Sequence, residues 1–133
     1  MPVKSHPAFK PCPCGSKRSF HACCQPFLQG ARAPTAEQLM RSRYTAYVLH
    51  DADYLLYSWH ATTRPEALDF SDDTTVWESL KVHHTTHGQP EDREGTVHFT
   101  AKYKLHGQKH TMQENSRFLK VDGEWKYLDG ELH

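Results

Sequence analysis

Beyond residue 24 this chain has no cysteine, and before residue 37 it has no acidic residue. No run approaches the roughly 18 apolar residues of a membrane span. The opening Met1-Pro2-Val3-Lys4-Ser5-His6 lacks the apolar core of a signal peptide, so the expectation is a cytoplasmic protein with no membrane partner. There is no net charge either: 16 Lys and Arg balance 16 Asp and Glu, which excludes bulk attraction to nucleic acid or anionic lipid. Internal repeats and low-complexity segments are also missing.

The balance hides an asymmetry. Residues 1–34 carry Lys4, Lys10, Lys17, Arg18 and Arg32 with no acid, which leaves the remainder at a net −5. All four cysteines fall in Cys12-Pro13-Cys14-Gly15-Ser16-Lys17-Arg18-Ser19-Phe20-His21-Ala22-Cys23-Cys24. Two close pairs joined by a loop with a glycine suit a tetrahedral ion, and four soft sulfur ligands favour one structural Zn²⁺ over a catalytic metal with an open position. The alternatives are reduced or disulfide-paired thiols and redox chemistry, although a thioredoxin-type site wants C-x-x-C at a helix start. His21 is close enough to compete with one cysteine. A piece this short folds only with such a staple, and with four thiolates and Zn²⁺ it is left at about +3. The expected division is a zinc module and linker over 1–32 and a main domain over 33–133.

After a linker that packs through Phe27 and Leu28, Thr35 and Gln38 form a capping-box pattern. Leu39, Met40, Tyr44, Tyr47 and Val48 then recur at helical spacing up to Asp51. A second helix is predicted from Asp51 or Ala52 to Trp59. A brief third is predicted from Pro65 to about Phe70, with Thr63 as its cap. From Thr74 the period changes to two. Val97, Phe99, Ala101, Tyr103 and Leu105 make a dry strand face opposite His98, Thr100, Lys102, Lys104 and His106. Turns at His106-Gly107 and Asp122-Gly123 join this strand to two more. Helices followed by hairpin-linked strands predict an α+β fold, an antiparallel meander with helices on one face.

Several of these stretches resemble a known family. C-x-C-x8-C-C with Gly15-Ser16 and Phe20 resembles the SEC-C motif, a short zinc-binding module that commonly has a second glycine where this chain has Lys17. Residues 35–47 resemble the signature helix of the bacterial YchJ-like family. So do Trp77 with Leu80, Gly95-x-Val97-x-Phe99-x-Ala101-x-Tyr103, Glu114-x-Ser116-x-Phe118 and Trp125-x-Tyr127-x-Asp129-Gly130. The resemblance runs from about Pro11 to Gly130. It implies a cone-shaped, curved antiparallel sheet packed on N-terminal helices, similar to nuclear transport factor 2 and cystatin. It implies no activity.

In such a cone the concave face often leaves a cavity. Strand alternation would line it with Glu114, Ser116, Phe118, Trp125, Tyr127 and Asp129, and Arg41, Arg43, Tyr54 and His60 would approach from the helices. A buried carboxylate facing tyrosine or histidine is an acid/base pair; the competing reading is Glu114 or Asp129 paired with Arg41 or Arg43. The aromatic set Tyr44, Tyr47, Trp59, Trp77, Phe99, Tyr103 and Trp125 reads as core. The eleven histidines read as solvated, with His83 and His84 on opposite faces of their strand.

The expectation is thus a non-catalytic zinc-binding protein. Its zinc module presents Lys17, Arg18 and Phe20 to a macromolecular partner, a protein in preference to nucleic acid, or else only clamps the N-terminus. Its cone binds a small ligand or serves as a homodimer scaffold. The alternative is a hydrolase or isomerase with acid/base residues in the cone.

Overall fold

A computed structural model describes residues 3–132. A short helix α1 (Gln25–Leu28) follows the cysteine stretch, then α2 (Ala36–Leu49) and α3 (Ala52–Tyr57). Four strands complete the chain: β1 (Val76–His87), β2 (Glu94–Leu105), β3 (Gln108–Val121) and β4 (Glu124–Leu132). They form one antiparallel sheet in the order β1-β2-β3-β4, curved and open, with the helices packed on one face. Both tight hairpins have two central residues at positive φ, His106-Gly107 and Asp122-Gly123, the pair of conformations that a type I′ turn requires.

Helix α2 starts where its cap predicts. The Thr35 hydroxyl accepts the Gln38 N–H at 3.1 Å and donates to the Gln38 side-chain carbonyl at 3.0 Å. The helix ends at His50, whose left-handed φ of 60° stops it. Asp51 then accepts the Tyr54 N–H and opens α3. Leu39, Met40 and Tyr44 press onto Val97, Phe99, Ala101, Phe118 and Trp125. Cys12, Cys14, Phe20 and Cys24 belong to this same buried cluster, so the cysteine stretch and the sheet share one core. A second cluster gathers Ala46, Leu55 and Phe70.

The helix expected from Pro65 to Phe70 does not form. Thr63, read as its cap, donates its hydroxyl to the Leu128 carbonyl of β4 instead. Asp69 accepts the Ser71 N–H in a local turn, and Phe70 stacks on His50 at 4.7 Å. So short a segment has little helical stability of its own, and these tertiary contacts hold it as an irregular loop.

Three register breaks shape the sheet. The pairing skips Glu78 and His83 in β1 and Leu128 in β4. Each extra residue shifts the alternation of the rest of its strand. At His83 the bulge overturns the expectation of opposite faces. His83 and His84 both lie beside His98, with ring centroids 5.1 and 4.9 Å away, and His83 bonds Thr100 at 2.6 Å. Thr100 is thereby buried on the side read as wet.

Candidate functional site

Two features adjoin α2. The first is the cysteine cluster. A narrow ribbon brings the cysteines together: Pro11 bridges Ser19, the Cys12 N–H bonds the Arg18 carbonyl, and the Phe20 N–H bonds the Lys10 carbonyl. The loop between them turns through Gly15 at φ 78° and Lys17 at φ 71°. Lys17, where glycine is common in the motif, therefore adopts the left-handed conformation glycine favours.

All four cysteines are free thiols, and their sulfurs lie within 4.8 Å of one another. Cys14 to Cys23 is 3.6 Å and Cys23 to Cys24 is 3.9 Å. A four-sulfur tetrahedron with metal–sulfur bonds of about 2.3 Å has edges of about 3.8 Å, so the set fits one metal ion. Cys23, next to Cys24 in the chain, adopts φ −126° and ψ −99°, neither helical nor extended, and both sulfurs reach the same centre. His21 is not part of it; its ring bonds the Ala8 carbonyl on the surface.

The polar atoms around the sulfurs come from the loop and from α2. Ser16 Oγ lies 3.1 Å from Cys23 Sγ, and Thr45 Oγ1 lies 3.8 Å from Cys12 Sγ. Arg41 donates to the Cys14 carbonyl at 2.9 Å and approaches its sulfur at 4.0 Å. Three sulfurs thus have a donor that a metal-bound thiolate can use, the outer-shell support that ligands require. The Cys12 and Cys24 thiols, with Ser16, hold the Cys14 thiol well below its usual pKa.

The second feature is a cavity of about 300 Å³ between α2 and the concave face of the sheet. Met40, Arg43, Tyr44 and Tyr47 line it from α2, and Trp77, Phe99, Ala101, Met112, Glu114, Ser116 and Phe118 line it from β1, β2 and β3. Trp59 and Tyr127 also line it. Glu114 Oε1 accepts the Ser116 hydroxyl at 2.7 Å and the Tyr127 hydroxyl at 3.1 Å. Burial and the Glu114 carboxylate push the Tyr127 phenol well above its ordinary pKa, and burial pushes Tyr44 up to about 12. The Glu114 carboxyl occupies the space over Gly130, where a Cβ would stand 1.9 Å from its Oε1.

Arg43 is 5 % exposed and makes no ion pair among the described residues. Its Nη1 donates to the Leu55 carbonyl and to Ser58 Oγ at 2.8 and 2.7 Å. Its guanidinium lies over the rings of Trp59 and Tyr127, 4.8 and 4.6 Å from their centres. Two hydrogen bonds and two aromatic faces therefore replace the water around this buried cation.

Of the ten residues expected at a pocket, the cavity brings together Arg43, Glu114, Ser116, Phe118 and Tyr127. The other five lie elsewhere. Arg41 points to the cysteines and pairs with Glu37 at 3.0 Å. Tyr54 bonds Ser42, and the His60 ring bonds Thr62. The Trp125 indole donates to the Pro34 carbonyl. The Leu128 bulge turns Asp129 to the outer face, where it forms a two-pronged pair with Arg117. In the other direction, the aromatic set read as core supplies much of the cavity wall: Tyr44, Tyr47, Trp59, Trp77 and Phe99. Thr45 and Gly130 carry no signal of their roles in the sequence.

The surface expected of the cysteine module is corrected at one residue. Lys17 and Arg18 are exposed, but Phe20 is 4 % exposed, held under the His6 ring at 5.2 Å. Phe9, 76 % exposed, is the large apolar side chain on the outside of the ribbon.

Comparison with known proteins places these features in a family context. Residues 35–130 match the family model described as YchJ, middle NTF2-like domain. A UPF0225 protein of Deinococcus radiodurans is 51 % identical, over 92 % of this chain and 90 % of that protein. Another from Chromobacterium violaceum is 47 % identical over 90 % of each. The solution structure of a SEC-C motif containing protein from Rhodopseudomonas palustris superposes with a TM-score of 0.80. It is 31 % identical and covers 92 % of this chain and 98 % of that one. The crystal structure of a SEC-C motif containing protein from Psychrobacter arcticus gives 0.76 at 27 % identity, over 95 % of this chain and 84 % of that one.

Proposed function

Because the chain belongs to the YchJ family, with its middle NTF2-like domain over residues 35–130, we propose that it is a non-catalytic, zinc-stabilised protein that binds a small ligand in its cavity. The observation that carries this reading is the cavity itself, walled by aromatic side chains and holding one carboxylate, Glu114, with no ion-pair partner among the described residues. A largely apolar pocket with a few placed polar groups is the usual form of a small-molecule site.

Zinc is the metal that the donor set favours: four thiolates, tetrahedral spacing and no open position. Thiols kept reduced for a metal fit a cytoplasmic location. The exposed Lys17, Arg18 and Phe9 are the surface offered to a protein partner, with Phe9 in the role expected of Phe20. Metal analysis of the purified protein tests the zinc, with one equivalent expected and less than half an equivalent in Cys12→Ser. Resonance shifts confined to the cavity on titration with small aromatic compounds test the ligand site. A full complement of cavity resonances that no compound moves refutes it.

A second reading keeps the acid/base enzyme, because Glu114 lacks an arginine partner. It predicts that a bound ligand is converted on incubation; recovery of the ligand unchanged excludes it for that compound.

A further inference from the structure

If the cavity is a ligand site, its hydrogen-bonding pattern restricts what enters. At the Glu114 end, the Ser116 and Tyr127 hydroxyl protons are both directed to Glu114 Oε1. No side chain or backbone group among the described residues donates to Glu114 Oε2. What remains there is an acceptor with no donor from the protein, on a half-buried side chain at a largely apolar space.

The nearby cation does not fill this role. The Nη1 of Arg43 is committed to Leu55 and Ser58, and its guanidinium lies over the rings of Trp59 and Tyr127. The Tyr127 ring lies against Arg43 while its hydroxyl meets Glu114. The walls of the cavity that Glu114 lines include the rings of Tyr44, Tyr47, Trp77, Phe99 and Phe118. Tyr44 and Trp77 are packed edge to face at 5.6 Å, and Tyr47 and Trp77 lie 6.1 Å apart. An acceptor carboxylate among aromatic faces favours a cationic donor, since the rings attract the same charge the carboxylate does. The same carboxylate disfavours an anion.

We infer that the ligand is a small protonated amine on a flat, apolar body, its ammonium group donating to Glu114 Oε2 and its body lying among the aromatic side chains. The inference rests on the cavity being a ligand site and adds the ligand's charge and shape. The volume, at the lower end of the range for ligand sites, suits one small ring system.

The test uses full-length, metal-replete protein and matched probes: 2-phenylethylamine, 2-phenylethanol and 3-phenylpropionate, with the bicyclic tryptamine, tryptophol and indole-3-propionate set beside them. Binding is read by amide and side-chain resonances of the cavity residues. The amine of at least one set is expected to bind about tenfold more tightly than its alcohol, with the carboxylate weakest, a difference of the size expected for a charge-assisted bond. Glu114→Gln keeps an acceptor for Ser116 and Tyr127; it is expected to abolish the amine's advantage and leave the alcohol within about threefold. Equal binding of amine and alcohol to the natural protein overturns the amine assignment while the ligand site stands, and needs no variant. If no probe shifts a cavity resonance, both fall.

Discussion

Replacing Gly130 by alanine should have opposite effects on stability depending on residue 114. In the natural chain the new Cβ would lie 1.9 Å from Glu114 Oε1, 2.3 Å from Cδ and 2.7 Å from Cγ, so the carboxyl must leave its place. It then loses the Ser116 and Tyr127 hydroxyls. A hydrogen bond to a charged group contributes about 1.5–3 kcal/mol, and partial resolvation in the cavity returns some of it. A net loss of about 2–4 kcal/mol results, which for a domain of this size lowers the melting temperature by about 10 °C. In Glu114→Ala the three atoms nearest the new Cβ are gone. There the strand interior gains what alanine has over glycine, about 0.5–1 kcal/mol. The double-mutant cycle by urea denaturation should therefore give a coupling of more than about 2 kcal/mol between positions in direct contact. An equal loss in both backgrounds would show that the glycine is needed for some other reason and that Glu114 does not lie over it.

Three further outcomes are expected. Lys17→Gly should stabilise the protein by about 1 kcal/mol, seen as a higher denaturation midpoint, because it relieves a left-handed non-glycine residue at φ 71°. Stripping the metal with a strong chelator should lower the melting temperature of the whole domain by about 10 °C or more, because Cys12, Cys14 and Cys24 lie in one cluster with Leu39 and Met40; an unchanged main transition with loss of structure only at the N-terminus would contradict that continuity. The stability difference between the natural protein and Arg117→Ala should shrink in acid. The hydrogen bond from Arg117 holds the Asp129 carboxyl below its ordinary value, so the pair stabilises above the unfolded carboxylate pKa of about 3.9 and loses its effect as pH falls through the lower folded value. A difference that stays constant from pH 6 to pH 2 would mean that the exposed pair contributes nothing.

Much of the architecture is legible in the sequence because local signals and tertiary structure agree. Thr35 caps α2, Asp122-Gly123 turns the last hairpin, and Val97, Phe99 and Ala101 face the core. The cysteine set is legible because soft ligands at close spacing have few other uses. The misplaced residues share a physical cause. Alternation assigns a face to every strand residue only while the register holds, and the bulges at Glu78, His83 and Leu128 carry no glycine or proline to announce them. Counted from Trp125 and Tyr127, alternation points Asp129 into the cavity, but the extra residue at Leu128 intervenes. Residues 63–70 carry helix signals that Leu128 and His50 override from a distance. Phe20 has a sequence neighbourhood typical of a surface loop and is buried because it joins the shared core with the His6 ring against it.

The Leu128 bulge also determines how charge is distributed inside the fold. Without that one extra residue, strict alternation would turn the side chain of residue 129 inward and the position of Gly130 outward. Glu114 would then share its aromatic chamber with a second carboxylate, while Arg117 would be left alone on the outer surface. Two like charges at close range repel each other. By exchanging aspartate for glycine on the inner face, the bulge gives the chamber a single acid with its own space, and one sheet irregularity decides how many carboxyl groups line the interior.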